Sequence, residues 1–519
     1  MSEFLAQDNV LPRPPRPDHP SITPWIDEQI WGHRLWDSQT PWLLFLECLT
    51  VAEACQRENA FLVEPPARYP LQFRPFRRLY LRNLLFNNEL AARIDVTYSE
   101  SGRAWDEWLS QMADVAQGIP TRDFSYLRKR FPSFHDFAAL VVTIRRTAVE
   151  SKTNRRWSSR FVFPFGPNSM YEDLNVKSGR PSREYINFGR TGEILYLMLC
   201  RCKAVGELRI RLGPILSTQH PLDRLMRLMQ PTDDEDLHLK GYSYLPYISH
   251  QSFDLLGEDW LNILDLNLPG FDAYQYLVLM SALHVMLYQL RTAAAVSQRR
   301  APIFVCEAVA PRKTLVRELS GIVYQENDML STEAVDASIS AIENSEEWRI
   351  ALQEATTEGD AYARCKDILE NRCWWGNQYD GPSSPSALLR DLREVSHRGH
   401  RQHAGNVHRA YGRALGLISR RGTNRMRYAP NDALLKALVV TNVQSRMEFG
   451  EFLRRMYERY GFIFGEQEAE RALDLQSFDQ KAFQTNAERV EGRLASMGLL
   501  RRLSDACAYV INPFSGAST

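Results

Sequence analysis

The chain has 519 residues and a mass of 59.9 kDa, enough for about three domains. Hydrophobic residues make up 44% and charged residues 24%, which excludes a disordered chain, a collagen-like fibre and a small disulfide scaffold. The 63 Lys and Arg balance 63 Asp and Glu, which excludes a protein that coats DNA along its whole surface.

Nine of the basic residues are Lys, leaving 63 − 9 = 54 Arg. A GC-rich coding sequence explains that bias, and so does a need for bidentate contacts to phosphate or carboxylate; both readings stand. The eight cysteines form no CxxC pair and mostly sit in apolar surroundings, as in Leu199-Cys200 and Val305-Cys306. They read as small core hydrophobes of a reducing cytoplasm.

In chain order, residues 1–20 are polar and Pro-rich, which predicts a disordered arm and no signal peptide. Trp25, Trp31, Trp36 and Trp42 follow, a density that suits a helical core or a partner-binding face. Residues 43–150 carry apolar periods near 3.6 and predict helices. Phe161 to Pro167 predicts a short strand broken by Pro, then a long loop, and Glu207 to Leu212 a strand. Lys152, Arg155, Arg156 and Arg160 around Trp157 form a basic patch that could stack bases or grip phosphates, or serve as a plain surface loop.

Ala273 to Leu290 has no formal charge over 18 residues, yet includes Gln275, Ser281, His284 and Gln289. It predicts a buried core helix rather than a membrane span, in line with a mean hydropathy of −0.37. Pro302 to Val309 is the best strand candidate. Ser331 to Glu370 predicts acidic helix, and Gly376 to Ser386 a linker. The fold class expected is mainly α with minor β.

Catalytic motifs are missing from the sequence. There is no P-loop, GxGxxG, HExxH or GxSxG, and Asp479-Gln480-Lys481 sits at a polar helix start rather than on a strand. No catalytic residue, cofactor or metal is therefore assigned. His397, His400, His403 and His408 match no ligand spacing; they are expected to join the neighbouring Arg residues on a polar surface.

Between Val395 and Pro430 the chain places eight Arg (Arg398, Arg401, Arg409, Arg413, Arg420, Arg421, Arg425 and Arg427) and no Asp or Glu. Such a cluster attracts phosphates by charge and counterion release. As one helix over 404–420, it puts Ala404, Val407, Tyr411, Leu415 and Ile418 on one side. Gly405, Arg409, Gly412, Arg413, Gly416 and Arg420 fall on the other. An exposed stripe of Arg and Gly suits a phosphate backbone or an acidic protein; a solvated charged face would normally mix signs.

Three helices follow: Asp432 to Val440 behind a capping Asn431, Arg446 to Tyr460 stopping at Gly461, and Lys481 to Met497 stopping at Gly498. Leu499 to Leu503 and Ala506 to Ile511 then predict a hairpin. This order, with Arg489, Arg493-Leu494, Gly498-Leu499-Leu500 and Tyr509-Val510, resembles the winged-helix group over about 80 residues. The resemblance implies a third helix in the major groove and a hairpin on the backbone. Here the third helix mixes Glu488 and Glu491 with Gln484, Asn486, Arg489 and Arg493, which leaves protein binding open.

The organisation expected is an arm at 1–20, a helical body with short strands at 21–300 and an α/β or helical segment at 301–375. A linker with the basic helix follows at 376–430, and a winged-helix-like domain at 431–514. The function expected is that of a cytoplasmic, non-motor DNA-binding adaptor in a bacterial multi-protein nucleic-acid machine, such as an antiviral defence or restriction system. Its partners would be DNA and separate ATPase or nuclease subunits, without a membrane. The alternatives are a scaffold that binds an acidic protein, and an enzyme with a scattered site.

Overall fold

The computed structural model describes the chain outside residues 1–4, 15–23, 34, 38–39, 58, 64–70, 73–76, 117–118, 120, 147–148, 154–156, 164–169, 176–181, 184–190, 218–220, 232–241, 269–271, 310–313, 421–424, 474–478, 505–506 and 516–519, and between 145 and 190 it describes the backbone alone. The protein is mainly helical with a few small sheets. It divides into two compact units, one built from residues 1–44, 189–208 and 243–519, the other from 45–188 and 209–242. The linear division expected from the sequence does not match these units: the middle segment, the linker and the C-terminal segment all fall in the first.

In that first unit the labelled elements are α1 (Asp27–Trp31), α2 (Thr191–Arg201), α3 (Gln251–Leu264), α4 (Tyr274–Val296), β1 (Phe304–Val305) and α5 (Leu315–Glu343). Next come α6 (Glu346–Gln353), α7 (Glu358–Cys373), α8 (Pro385–Gln402), α9 (Val407–Ala414), β2 (Ile418–Ser419) and β3 (Arg427–Tyr428). The chain continues with α10 (Asp432–Asn442), β4 (Arg446–Glu448), α11 (Phe449–Tyr460), β5 (Phe462–Ile463), α12 (Glu466–Ala472), α13 (Gln480–Ser496), β6 (Leu500–Ser504) and β7 (Cys507–Ile511).

The core is organised on α4, which packs against α1, α3, α5, α9 and α10. It is apolar on all sides because all sides are covered. It is long and apolar enough to cross a membrane, and 89% of its apolar window is buried inside the protein. Two of its polar residues are bonded internally: the His284 Nε2 lies 2.6 Å from Asp259 Oδ2, and the Trp260 Nε1–H donates to Ser281 Oγ at 3.2 Å. The Asp259 carboxylate also accepts from the Tyr460 hydroxyl at 2.7 Å.

Several expectations need correction. Residues 5–14 are docked rather than disordered: Val10 bridges Tyr247, the Leu11 N–H donates to Pro246 at 2.7 Å, and Leu11 is buried. Glu207 to Leu212 belongs to a helix, Val205–Ser217, because the buried residues are Leu208, Leu212 and Leu216 at spacings of four, while Ile210 is exposed. Gly376 to Ser386 links α7 to α8 inside one unit, and α8 starts at Pro385. The best strand candidate shrinks to two residues, Phe304 and Val305, paired in parallel with β5.

The second unit holds helices Arg77–Phe86, Asn88–Thr97, Ser101–Val115, Ser125–Arg130 and Phe134–Arg146. They close around Trp105, Trp108, Phe124, Phe134 and Phe137, with edge-on ring contacts such as Trp105–Trp108 at 5.6 Å. A four-stranded antiparallel sheet follows: Val149–Thr153, Trp157–Phe163, Met170–Asn175 and Ser182–Arg183. Strands thus occupy part of the stretch expected as a long loop. Glu172 and Asp173 hid the strand Met170–Asn175, but the register sets Arg160 against Glu150 on one side and Glu172 on the other, a favourable cross-strand arrangement.

Candidate nucleic-acid interface

The basic segment begins near the end of α8. Pro385 occupies the first turn, where a missing N–H costs nothing. Leu388, Leu389 and Leu392 turn inward, and Arg398 and Arg401, three residues apart, are exposed. A single 3-10 turn, Ala404–Asn406, leads into α9, which exposes Arg409 and Arg413 and buries Val407, His408 and Tyr411.

The helix expected over 404–420 stops at Ala414. Gly416 has φ +79° and its N–H closes on Arg413 O at 3.1 Å, so the chain reverses into the β2–β3 hairpin. Glycine is required there by the left-handed backbone. Gly412 is buried rather than exposed, since the side chain of Ile418 packs directly over it. The exposed face is therefore not an Arg/Gly stripe on one helix. It is Arg409 and Arg413 on α9, then Arg420 and Arg425 at the exposed end of the hairpin. Arg421 lies outside the described residues, as do Arg155 and Arg156. Trp157 is in the strand Trp157–Phe163 of the other unit.

Arg427 departs most from expectation. It is 2% exposed and its Nε–H donates to Glu307 Oε2, while Arg317 Nε donates to Glu307 Oε1 at 2.7 Å. It is an internal ion pair, not a surface contact. Beside it, Ser320 Oγ accepts from the Tyr428 N–H at 2.9 Å and donates to Tyr428 O at 3.0 Å. The Tyr428 hydroxyl receives Asn327 Nδ2 at 2.9 Å and lies 2.9 Å from His408 Nε2. Burial pushes the Tyr428 phenol well above its usual range, so the hydroxyl stays protonated. Sequence reasoning missed this polar set, Glu307, Ser320, Asn327 and Tyr428; the one visible signal was a Glu closing an apolar strand.

The histidines also differ from expectation. His400 and His408 are buried rather than on a polar surface. His400 sits between Asp27 Oδ1 at 3.1 Å and Ser331 Oγ at 3.0 Å, and His408 Nδ1 is 3.2 Å from Asp328. His397 lies 2.8 Å from Asp336, and His403 stacks on Trp36. Each thus has its own partner, and among the described residues no group of three or more His, Cys, Asp or Glu is arranged to hold a metal ion.

Arg398, Arg401, Arg409, Arg413, Arg420 and Arg425 are exposed, and among the described residues none has a carboxylate partner. Some exposed Arg residues elsewhere are paired: Arg299 with Glu333 at 3.0 Å, Arg364 with Asp360 at 3.2 Å, Arg372 with Glu347 at 2.9 Å. The field of Arg409 reaches α5. Burial pushes the Asp328 carboxyl up, but His408 and Arg409 outweigh it and hold the group below its usual range.

In the C-terminal segment, Asp479 caps α13 by accepting from the Ala482 N–H at 3.2 Å, and Phe483, Val490 and Leu494 are buried. Strand β7 lies between β4 and β6. Asn486, expected on the exposed face of α13, is buried instead: it accepts from the Ala308 N–H at 2.8 Å and donates to Phe464 O at 2.9 Å. Two Arg residues here are paired, Arg493 with Asp432 and Arg502 with Glu491 at 2.8 Å. No protein-family model matches the chain, and neither a curated protein nor a solved structure does.

Proposed function

We propose that this chain is a non-motor DNA-binding adaptor of a larger nucleic-acid machine. Arg398, Arg401, Arg409, Arg413, Arg420 and Arg425 face the phosphates, and separate ATPase or nuclease subunits supply the chemistry. One observation carries the reading: six exposed guanidiniums stand without a carboxylate partner among the described residues, in a stretch with no Asp or Glu. Unpaired Arg on a fixed surface is suited to phosphate oxygens. The C-terminal segment is read as a winged-helix-like module. Its order of α10, β4, α11, α13 and the β6–β7 hairpin, with β7 central in the sheet, supports that reading. The extra β5 and α12 are an insertion in the pattern.

The test is the salt dependence of duplex binding. Each phosphate contact contributes about 0.9 to the slope of log affinity against log salt. Replacing Arg409, Arg413 and Arg420 together with Ala is expected to flatten that slope by about two to three units and weaken binding at low salt. A folded triple variant with unchanged affinity and slope would overturn the proposal.

A second reading, a protein scaffold, draws on α5. Leu315, Ile322 and Met329 are exposed at intervals of seven residues, which aligns them along one helix face. On that reading the triple variant keeps its DNA behaviour, and an I322D substitution abolishes capture of a protein partner.

A further inference from the structure

Next to the Arg surface, Trp36 and His403 form a stacked pair with ring centroids 4.4 Å apart and planes tilted by 16°. Both are partly exposed. His403 is the residue at which α8 ends; its N–H donates to His400 O at 3.2 Å and its carbonyl accepts from the Asn406 N–H at 3.0 Å. Trp36 is held through its backbone, its N–H donating to Thr191 Oγ1 at 3.3 Å and its carbonyl accepting from the Tyr411 hydroxyl at 3.4 Å. The two rings are thus fixed by main-chain contacts from separate elements.

Two of the Arg residues without a carboxylate partner are tied to one residue near this stack, Arg401 by its backbone and Arg409 by its side chain. Asn406 Nδ2 donates to Arg401 O at 2.7 Å, and the Asn406 side-chain oxygen accepts from Arg409. In the chain, Arg401 and Arg409 stand two residues before and six residues after His403, and both are exposed. A duplex backbone offers the aromatic pair nothing to stack on, because its bases are paired inside. A single strand offers both groups at once: phosphates for Arg401 and Arg409, and a free base for the aromatic pair.

We infer that Trp36 and His403 form a stacking platform for an unpaired base, and that the ligand of this surface is a single-stranded segment or a frayed strand end. The inference rests on the phosphate-binding reading of the Arg residues and adds the base to it. Base stacking on an aromatic side chain is sequence-tolerant, since every base has a π-face. The platform therefore selects strandedness rather than sequence.

The test compares three probes of equal phosphate number by fluorescence anisotropy: a single-stranded 20-mer, an abasic strand of the same length and a blunt duplex. The base-bearing strand is expected to bind about tenfold more tightly than the abasic one. W36A and, separately, H403A are expected to erase that tenfold difference and leave the salt slope intact; W36F is expected to keep it. The double variant R409A/R413A is expected to weaken both strands alike. Equal, salt-dependent affinity for base-bearing and abasic strands overturns the stacking inference while the phosphate reading stands. Binding to the duplex alone overturns it too, and failure of every probe to bind overturns both. A thermal melt of each variant checks folding, and H403A decides the matter if W36A is unfolded.

Discussion

At the residue scale, the Arg residues of this segment do two different jobs, and burial separates them. Arg427 and Arg317 share the carboxylate of Glu307, which is itself 1% exposed. E307A would leave the Arg427 cation buried without its partner, a loss of about 3–5 kcal/mol measurable by urea denaturation. R409A, on the surface, is expected to stay within about 0.5 kcal/mol of the parent. His250 provides a pH test. Its Nδ1 accepts from the Ser252 N–H at 3.0 Å at the start of α3, and burial followed by the charge of Arg291 pushes its pKa down to about 3. The folded state keeps it neutral, while the unfolded chain protonates near the ordinary value of 6.5. Stability is therefore full above that value and falls with pH between about 6.5 and 3, by up to about 1.4 kcal/mol per unit. H250N retains a capping acceptor, so its urea midpoint should drop less than the parent's between pH 7 and pH 5. Equal drops would remove His250 as the source.

At the element scale, the turn after α9 shows what the sequence did and did not make legible. The periodicity of Val407, Tyr411 and Leu415 was legible, and so was the exposure of Arg409 and Arg413. The stop was not, because Ile418 continues the apolar spacing and Gly412 and Gly416 read as a face without bulk. In three dimensions Gly412 lies under Ile418, and a Cβ on Gly416 would meet Asn431 Nδ2 at 1.9 Å. Asn431 is also the cap of α10, accepting from the Leu434 N–H at 2.8 Å. G416A is thus expected to cost about 1–2 kcal/mol for the left-handed backbone and about 1 more for the displaced cap. Gly492, inside α13, gives the opposite expectation. A Cβ there would point into open space, with no atom within 4 Å, so G492A should stabilise by up to about 1 kcal/mol. Differential scanning calorimetry reads both, and a neutral G416A would mean the turn is not the stop described. The same limit explains Glu207 to Leu212. Leu208, Ile210 and Leu212 alternate as a strand would, and only the burial of Leu208, Leu212 and Leu216 with Ile210 left exposed marks the four-residue period.

At the scale of the whole molecule, the compact units join stretches far apart in sequence, which linear composition cannot register. The first unit needs residues 1–44 as much as it needs 243–519. Trp31 is fully buried, donates from Nε1 to Gln289 O at 3.0 Å and accepts at its carbonyl from the Tyr288 hydroxyl at 3.0 Å. Ile30 O accepts from the Tyr247 hydroxyl at 3.0 Å, and Asp27 lies 3.1 Å from the buried His400. Deleting residues 1–37 would uncover one side of α4 and leave His400, Tyr247 and Tyr288 without these partners. Losing Trp31 alone costs about 3–5 kcal/mol by the usual large-to-small penalty. Ile26 and Ile30, both buried, add to that, and the sum reaches the range of about 5–15 kcal/mol by which native proteins are stable. The truncated chain is therefore expected to lose its cooperative melt and to bind a hydrophobic dye such as ANS, while W31A retains a cooperative but lowered transition. Calorimetry and dye fluorescence on the two variants check this. A chain starting at residue 38 that melts cooperatively within a few degrees of the full-length protein would show that α1 is a passenger on α4 rather than part of its core.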